Sequence, residues 1–197
     1  MTSPRVDALL DAAEAEFADS GFDTGSLRQI MRSAGADPGA IHYHFGGRRA
    51  LAEAVLTRVL VPLNHHRLQL LDRAAASDEP SLAHLVEALI RPDIEAAHTL
   101  QARSPGRARL IGSVYLHPGE FVEDVVAAHF APVADAFRPH LERAVPHVAF
   151  PVVAWRVRWC VFGTVGSLLV HPTAPFERAA DHLIAELVQT LSAALAA

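Results

Sequence analysis

Side chains able to bind phosphate and base edges are concentrated in one short region near the start of the sequence. Residues 24–60 contain five arginines and two acidic residues, a local charge of +3 within a chain of net charge −5. The arginines are Arg28, Arg32, Arg48, Arg49 and Arg58, and the acidic residues are Asp37 and Glu53. Because the guanidinium fork matches phosphate and guanine, this window favours contact with nucleic acid.

The sequence offers little for an enzyme. All 17 basic residues are arginine, which excludes a Walker-type phosphate loop and a Schiff-base lysine. The twelve histidines include no pair three or four residues apart that could clamp a metal ion on one helix. We expect no catalytic residue, no cofactor and no metal site. A helical metal-dependent enzyme is the alternative, since Glu95 and His98 have the spacing of half a di-iron site, and a helical adaptor that does not bind DNA is another.

The elements that must position the basic region begin with a well-marked first helix. Ser3 can cap it and Pro4 suits its first position. Val6, Leu10, Ala13 and Phe17 follow at helical spacing and would form its apolar face. Gly21 is expected to end this helix.

Two short helices are predicted next. Ser26 and Gln29 form a capping-box pattern, and Gly35 would end the second helix. Asp37 is expected to cap a third helix that has Pro38 at its first position and runs to about Phe45. Two short helices joined by a tight glycine turn, behind a longer one, are typical of a helix-turn-helix.

The predicted third helix would enter the major groove of DNA with its N-terminal end, where the side chains are small. We therefore expect close backbone approach there, and a guanine contact from Arg28. Tyr43, His44 and Arg48 would donate to phosphates, with help from the helix N-terminus at Ser26. The predicted DNA-binding residues are Ser26, Arg28, Asp37, Pro38, Gly39, Ala40, His42, Tyr43, His44 and Arg48.

The run from Gly35 to Leu51, GADPGAIHYHFGGRRAL, resembles the signature of TetR-family regulators. The resemblance covers roughly residues 4–60. It implies a homodimeric repressor that binds a palindromic operator and is released by an effector. Two positions depart from the pattern: His42 stands where tyrosine is frequent, and Arg48 replaces the usual lysine with the charge kept.

The remaining sequence predicts more helices, broken near residues 77–80, 102–106 and 118–119. The expected fold is all-α with about nine helices: a helix-turn-helix domain over residues 1–47 and a helical effector-binding and dimerisation domain over 48–197. Cys160 is the single cysteine and the N-terminus does not resemble a signal peptide, which favours a soluble cytoplasmic protein.

The second half resembles the ligand domain of PsrA-like regulators in three segments, ARSPGR from Ala102, FAPV from Phe130 and WRVRW from Trp155. This resemblance implies an apolar effector such as a fatty acid or acyl-CoA. Trp155, Trp159 and Phe162 are predicted to share one helical face. The expected pocket residues are Val125, His129, Phe130, Trp155, Trp159 and Phe162.

The last two predicted helices, Pro151 to Val170 and about Pro175 to Ala197, suit a two-fold interface. Small residues allow close approach, and the final helix carries an apolar stripe. The expected dimer contacts are Gly163, Gly166, Leu183, Leu187 and Leu191.

Overall fold

The computed structural model describes residues 3–76, 81–103, 105–116, 119–170 and 180–197, and over these ranges it is helical with no strand. The helices are α1 (Pro4–Thr24), α2 (Leu27–Ser33), α3 (Ala40–Phe45), α4 (Arg48–Ala75), α5 (Leu82–Arg103), α6 (Pro105–Leu116), α7 (Glu123–Ala144), α8 (Phe150–Arg156), α9 (Gly163–Val170) and α10 (Ala180–Ala196). A 3₁₀ turn (Glu120–Val122) precedes α7, and a π-helical turn (Val157–Phe162) joins α8 to α9. The all-α prediction is confirmed.

The caps predicted from the sequence account for the start of the chain. Ser3 caps α1, with its Oγ accepting a hydrogen bond from the Val6 amide at 3.4 Å. Regular α1 geometry breaks at Gly21, whose φ of +78° is strained for any residue with a side chain, and one further turn follows. The predicted stop at Gly21 therefore marks a real break within the helix.

One hydrophobic core connects the helices that the structure describes. Helix α4 packs on α1, α5 and α7, and α6 lies between α1 and α9. Helix α10 packs on α5. The buried face of α4 consists of apolar residues at helical spacing, interrupted by Asn64 and by a fully buried arginine, Arg67. The long helix α4 thus joins the first three helices to the rest of the core.

Several predicted boundaries are wrong. The loop expected over residues 102–106 is shorter, because α5 extends to Arg103 and α6 begins at Pro105. The helix expected from Glu120 starts with a 3₁₀ turn and becomes α-helical at Glu123. The expected start of the last helix near Pro175 lies outside the described residues. By length and composition alone, Phe150–Leu169 could cross a membrane, a property that core helices of other proteins share.

Candidate functional site

Helix α2 is held against α1 by a cap at Ser26. The Ser26 amide donates to Glu16 Oε1 at 2.7 Å, and the Gln29 amide donates to Ser26 Oγ at 3.2 Å. Ile30, on the inner side of α2, is fully buried. This anchoring leaves Arg28 exposed on the outer side of the helix.

Helix α3 begins later than the sequence predicts. The carboxylate of Asp37 does not cap it; instead the Asp37 carbonyl accepts from the Ala40 amide at 3.0 Å, and Gly39 is the N-cap residue. The cause is the Pro38-Gly39 pair, which suits the centre of a tight turn, and Gly39 adopts a φ of +98° there. Asp37, Pro38 and Gly39 are therefore exposed turn residues ahead of the helix.

The outer face of α3 is polar and aromatic. Ile41 is buried and anchors the helix, whereas His42, Tyr43 and His44 are exposed. Tyr43 has 84% of its surface accessible, although an aromatic side chain of this size is usually at least partly buried. Its ring meets His44 edge-on, with 4.9 Å between ring centroids. In the part of the chain that the structure describes, this surface therefore presents exposed hydrogen-bond donors.

Arg48 lies at the first position of α4 and is half-buried. Its Nη1 donates to the Phe22 carbonyl at 3.2 Å, which ties the start of α4 to the end of α1. A guanidinium has five N–H donors, so this contact is compatible with a second one to an anion. The predicted DNA-binding residues are thus exposed, apart from Ala40 and Arg48, which are half-buried.

A cavity of about 250 Å³ lies between α5, α6, α7 and the segment from α8 through the π-helical turn. Its inner wall includes Tyr115, Phe130 and Phe162, whose ring centroids lie 5.1–5.6 Å apart. Most other wall residues are apolar, among them Leu89, Val126, Val133 and Phe137. Among the described wall residues two are charged, Glu123 and Arg158, and both are solvent-exposed. Such a cavity suits an apolar molecule with any polar group at the exposed end.

Of the six expected pocket residues, the structure brings Phe130 and Phe162 together on the wall and places the other four elsewhere. His129 faces α4, with its Nε2 at 3.3 Å from Thr57 Oγ1, and Val125 packs on the core. Trp155 and Trp159 are each 60% exposed. The expected face holds for Trp155 and Trp159 but not for Phe162, because the π-helical turn changes the helical register between Trp159 and Phe162.

Beneath the aromatic wall lies a polar cluster that the sequence patterns did not predict. Arg67 of α4 is fully buried and forms an ion pair with Asp93 of α5. The Nη2 of Arg67 also donates to the Tyr115 hydroxyl at 2.5 Å. Its Nη1 donates to Asn64 Oδ1 at 2.6 Å, and its Nε donates to the Leu89 carbonyl at 3.0 Å. The available signal was an arginine at an apolar position of α4, in line with Leu60, Leu63 and Leu71.

Burial and pairing have opposing effects in this cluster. Burial lowers the pKa of the Arg67 guanidinium, but Asp93 and Tyr115 raise it by more than burial lowers it. The pKa therefore lies above its ordinary value and the guanidinium stays charged. Burial raises the pKa of the Asp93 carboxyl, and Arg67 and Tyr115 oppose that effect. Burial and the neighbouring Asp93 hold the pKa of the Tyr115 phenol well above its ordinary value. With an arginine in direct contact, we assign Asp93 as the carboxylate and Tyr115 as the protonated phenol.

The expected dimer residues divide into two groups. Gly166, Leu183 and Leu191 are buried within the chain; a Cβ on Gly166 would lie 3.0–3.1 Å from atoms of α6, so this glycine serves close packing inside one protomer. Leu187 is half-buried, and a Cβ on Gly163 would meet open space. Among the described residues of α8 to α10, the large apolar side chains that are exposed are instead Val152, Trp155 and Trp159.

Two family models together match most of the chain. Residues 9–55 match the bacterial regulatory proteins of the tetR family, and residues 87–197 match the tetracyclin repressor-like C-terminal domain. The transcriptional repressor BepR of Brucella suis biovar 1 (strain 1330) is 32% identical over 45% of this chain and 41% of its own length. The regulator BetI of Rhizobium meliloti (strain 1021) is 29% identical over 52% of this chain and 50% of its own. The chain thus aligns with about half the length of these curated relatives or less.

Solved structures share the fold at low identity. The fatty acid degradation regulator FadR from Bacillus halodurans superposes with a TM-score of 0.67 at 14% identity, over 98% of this chain and 96% of that one. SmeT, solved as a complex with triclosan, gives a TM-score of 0.64 at 21% identity, over 95% and 91% of the two chains. The curated relatives are regulators, which agrees with the prediction of a regulator and not an enzyme. The chain belongs to the TetR family of bacterial transcription regulators.

Proposed function

We propose that this DNA-binding regulator is a repressor that holds a palindromic operator as a homodimer and releases it when a small apolar molecule enters the cavity. The proposal rests on one observation: an exposed surface and an apolar cavity are both attached to the same long helix, α4. An exposed, donor-rich α2–α3 surface lies at one end of α4, and an apolar cavity lies beside the buried arginine on the same helix. Helix α4 physically joins the two.

The proposed DNA contacts follow the sequence prediction, adjusted for the later start of α3. Arg28 reads a guanine, and the exposed turn of Pro38 and Gly39 lets the backbone approach the bases. Tyr43, His44 and Arg48 contact phosphates. We keep residues 1–47 as the proposed DNA-binding domain and 48–197 as the effector and dimer domain, acting in the cytoplasm.

The proposed dimer face lies on α8 and the π-helical turn. Trp155 and Trp159 are one helical turn apart, and Gly163 continues the row with open space above it. Tryptophan is enriched at interface centres, and a glycine beside it permits close helix approach. A second copy related by a two-fold axis would cover this face and set the spacing of two recognition helices.

The proposed effector is amphipathic, with a fatty acid or its acyl-CoA as the leading class. The inner wall is apolar, and Arg158 at the exposed end can pair with a carboxylate or phosphate. The cavity of about 250 Å³ is slightly below the roughly 300–1,000 Å³ of ordinary ligand pockets, which favours a short acyl chain. The structural likeness to FadR supports this class, whereas the likeness to SmeT supports an aromatic compound instead.

Extraction and mass spectrometry of small molecules that co-purify with the native dimer test the proposal. We expect an acyl compound that decanoate displaces and that binds less tightly to Ala127→Trp, which adds a large side chain to the cavity wall. Adding the extracted compound should then release the protein from DNA of its own promoter. A bound metal, or an organic molecule that binds to Ala127→Trp as tightly as to wild type, would contradict the cavity assignment.

A further inference from the structure

The Tyr115 hydroxyl lies at the junction between the cavity and α4. It accepts a hydrogen bond from Arg67 Nη2 at 2.5 Å and donates to Asp93 Oδ1 at 2.6 Å. The ring of the same residue forms part of the cavity wall. One side chain therefore touches whatever fills the cavity and also holds the buried arginine of α4.

Arg67 also contacts residues of the other helices around the cavity. Its guanidinium carbon lies 5.7 and 5.8 Å from the ring centroids of Phe162 and Phe130, both wall residues. Asn64, which accepts from Arg67, donates to the carbonyl of His129 at 2.8 Å, next to Phe130 in sequence. Helix α4 is thus linked through one cluster to α5, α6, α7 and the π-helical turn.

The other end of α4 is fixed to the DNA-binding helices. Arg58 bonds to Glu14 of α1, with 2.6 Å between Nε and Oε1, and Arg48 bonds to the Phe22 carbonyl. A displacement of α4 at Arg67 would therefore be passed to α1 and to the α2–α3 unit packed on it.

We propose that the Tyr115–Arg67–Asp93 cluster is the positioning contact that transmits cavity occupancy to α4, a proposal that rests on the effector-released repressor described above. A ligand that fills the cavity packs against the Tyr115 ring, and because the groups around that ring are close-packed, a shift of the ring is passed to its neighbours. Breaking the two buried hydrogen bonds of the Tyr115 hydroxyl, to Arg67 and Asp93, is costly, so the arginine and its helix move with the tyrosine.

The test compares operator affinity with and without decanoate in wild type, Tyr115→Phe and Tyr43→Phe. Tyr115→Phe removes the bridging hydroxyl but keeps the ring and the direct Arg67–Asp93 pair, so we expect it to fold. Tyr43→Phe makes the same chemical change on the exposed face of α3. Decanoate occupancy is measured separately by titration calorimetry.

In wild type we expect decanoate to weaken operator binding within the roughly 5–150-fold range of allosteric coupling. In Tyr115→Phe decanoate should still bind, while the ratio of operator affinities without and with decanoate falls at least about fivefold. In Tyr43→Phe both affinities should fall together and the ratio should stay at the wild-type value. A merely structural role of Tyr115 would change stability and leave this ratio unchanged.

The outcomes separate the two proposals. An unchanged ratio in folded, decanoate-bound Tyr115→Phe overturns the transmission proposal and leaves the repressor intact. A wild-type ratio of one, with decanoate bound, also overturns it. Failure of wild type to bind any promoter DNA overturns the repressor itself. Should Tyr115→Phe unfold, Asn64→Ser removes the α4–α7 link of the same cluster and is judged by the same ratio.

Discussion

The Glu14 carboxylate of α1 accepts a hydrogen bond from Arg58 of α4, with 2.6 Å between Glu14 Oε1 and Arg58 Nε. Glu14 is only 5% exposed, and its second oxygen lies 3.6 Å from Nε of Arg107 on α6. One buried carboxylate therefore ties the first helix to two helices of the larger core. Together with the packing of α1 on α4 and α6, this contact positions the DNA-binding helices relative to the cavity.

Glu14→Ala should cost roughly 3 kcal/mol of unfolding free energy, because it leaves a partly buried arginine without its main partner. Asp11 also pairs with Arg58 but its side chain is 71% exposed, so Asp11→Ala is the matched control and should cost less than about 1 kcal/mol. Urea unfolding measures both. Equal losses in the two variants would show that burial of Glu14 does not determine the strength of this contact.

Replacing Arg28 and replacing Arg48 should change operator binding in different ways. Arg28→Ala should relax the preference at one base pair by roughly 1–3 kcal/mol, because a base contact carries sequence information. Arg48→Ala should weaken all sequences alike and lower the salt slope by about one, since it removes a phosphate contact. Binding to a set of single-base operator variants at several salt concentrations measures both effects. Base-specific loss in Arg48→Ala would reverse the assignment.

The DNA-binding unit could be predicted from sequence because its determinants are local. Ser3, Ser26 and Gly21 act on backbone groups a few residues away, and short-range patterns reveal such effects. The error at Asp37 was local too: two signals competed, and the Pro38-Gly39 turn prevailed over the carboxylate cap. The all-α fold followed from apolar spacing that repeats along the chain.

The cavity could be predicted only in part because its wall comes from distant elements. Phe130 and Phe162 were found, but the π-helical turn changes the helical register between Trp159 and Phe162, and no sequence period reveals such a turn. Tyr115 and Arg67 are 48 residues apart and meet only in the folded core. Their pairing depends on how four helices pack, which single-sequence patterns do not specify.

Trp155 and Trp159 should be central to the dimer. Replacing either with alanine should weaken dimerisation by about 2 kcal/mol or more, as for buried interface tryptophans. That loss corresponds to roughly a 30-fold rise in the dimer dissociation constant. Sedimentation equilibrium measures it, with Val61→Ala on the exposed side of α4 as the control. A dimer that is equally tight without both tryptophans would place the interface elsewhere.

His129 should make stability sensitive to mild acid. Burial lowers its pKa below the ordinary 6.5, with Glu53 opposing, so as pH falls below 6.5 the unfolded chain takes up a proton that the folded chain resists. Stability should decline there, and His129→Gln should flatten the decline. The free energy of unfolding at neutral and mildly acidic pH checks this, with exposed His182→Gln as the comparison. The same decline of unfolding free energy with falling pH in both variants would contradict the assignment of this effect to His129.

The most direct test of the whole account is a footprint of the wild-type protein on its own promoter. We expect a dimer to protect a short palindrome with half-sites about one helical turn apart, on the order of 34–36 Å, and affinity to fall steeply with salt. The co-purified effector should remove the footprint. Salt-independent binding, or no protected palindrome at any salt concentration, would contradict the assignment of the α2–α3 surface as an operator-binding site.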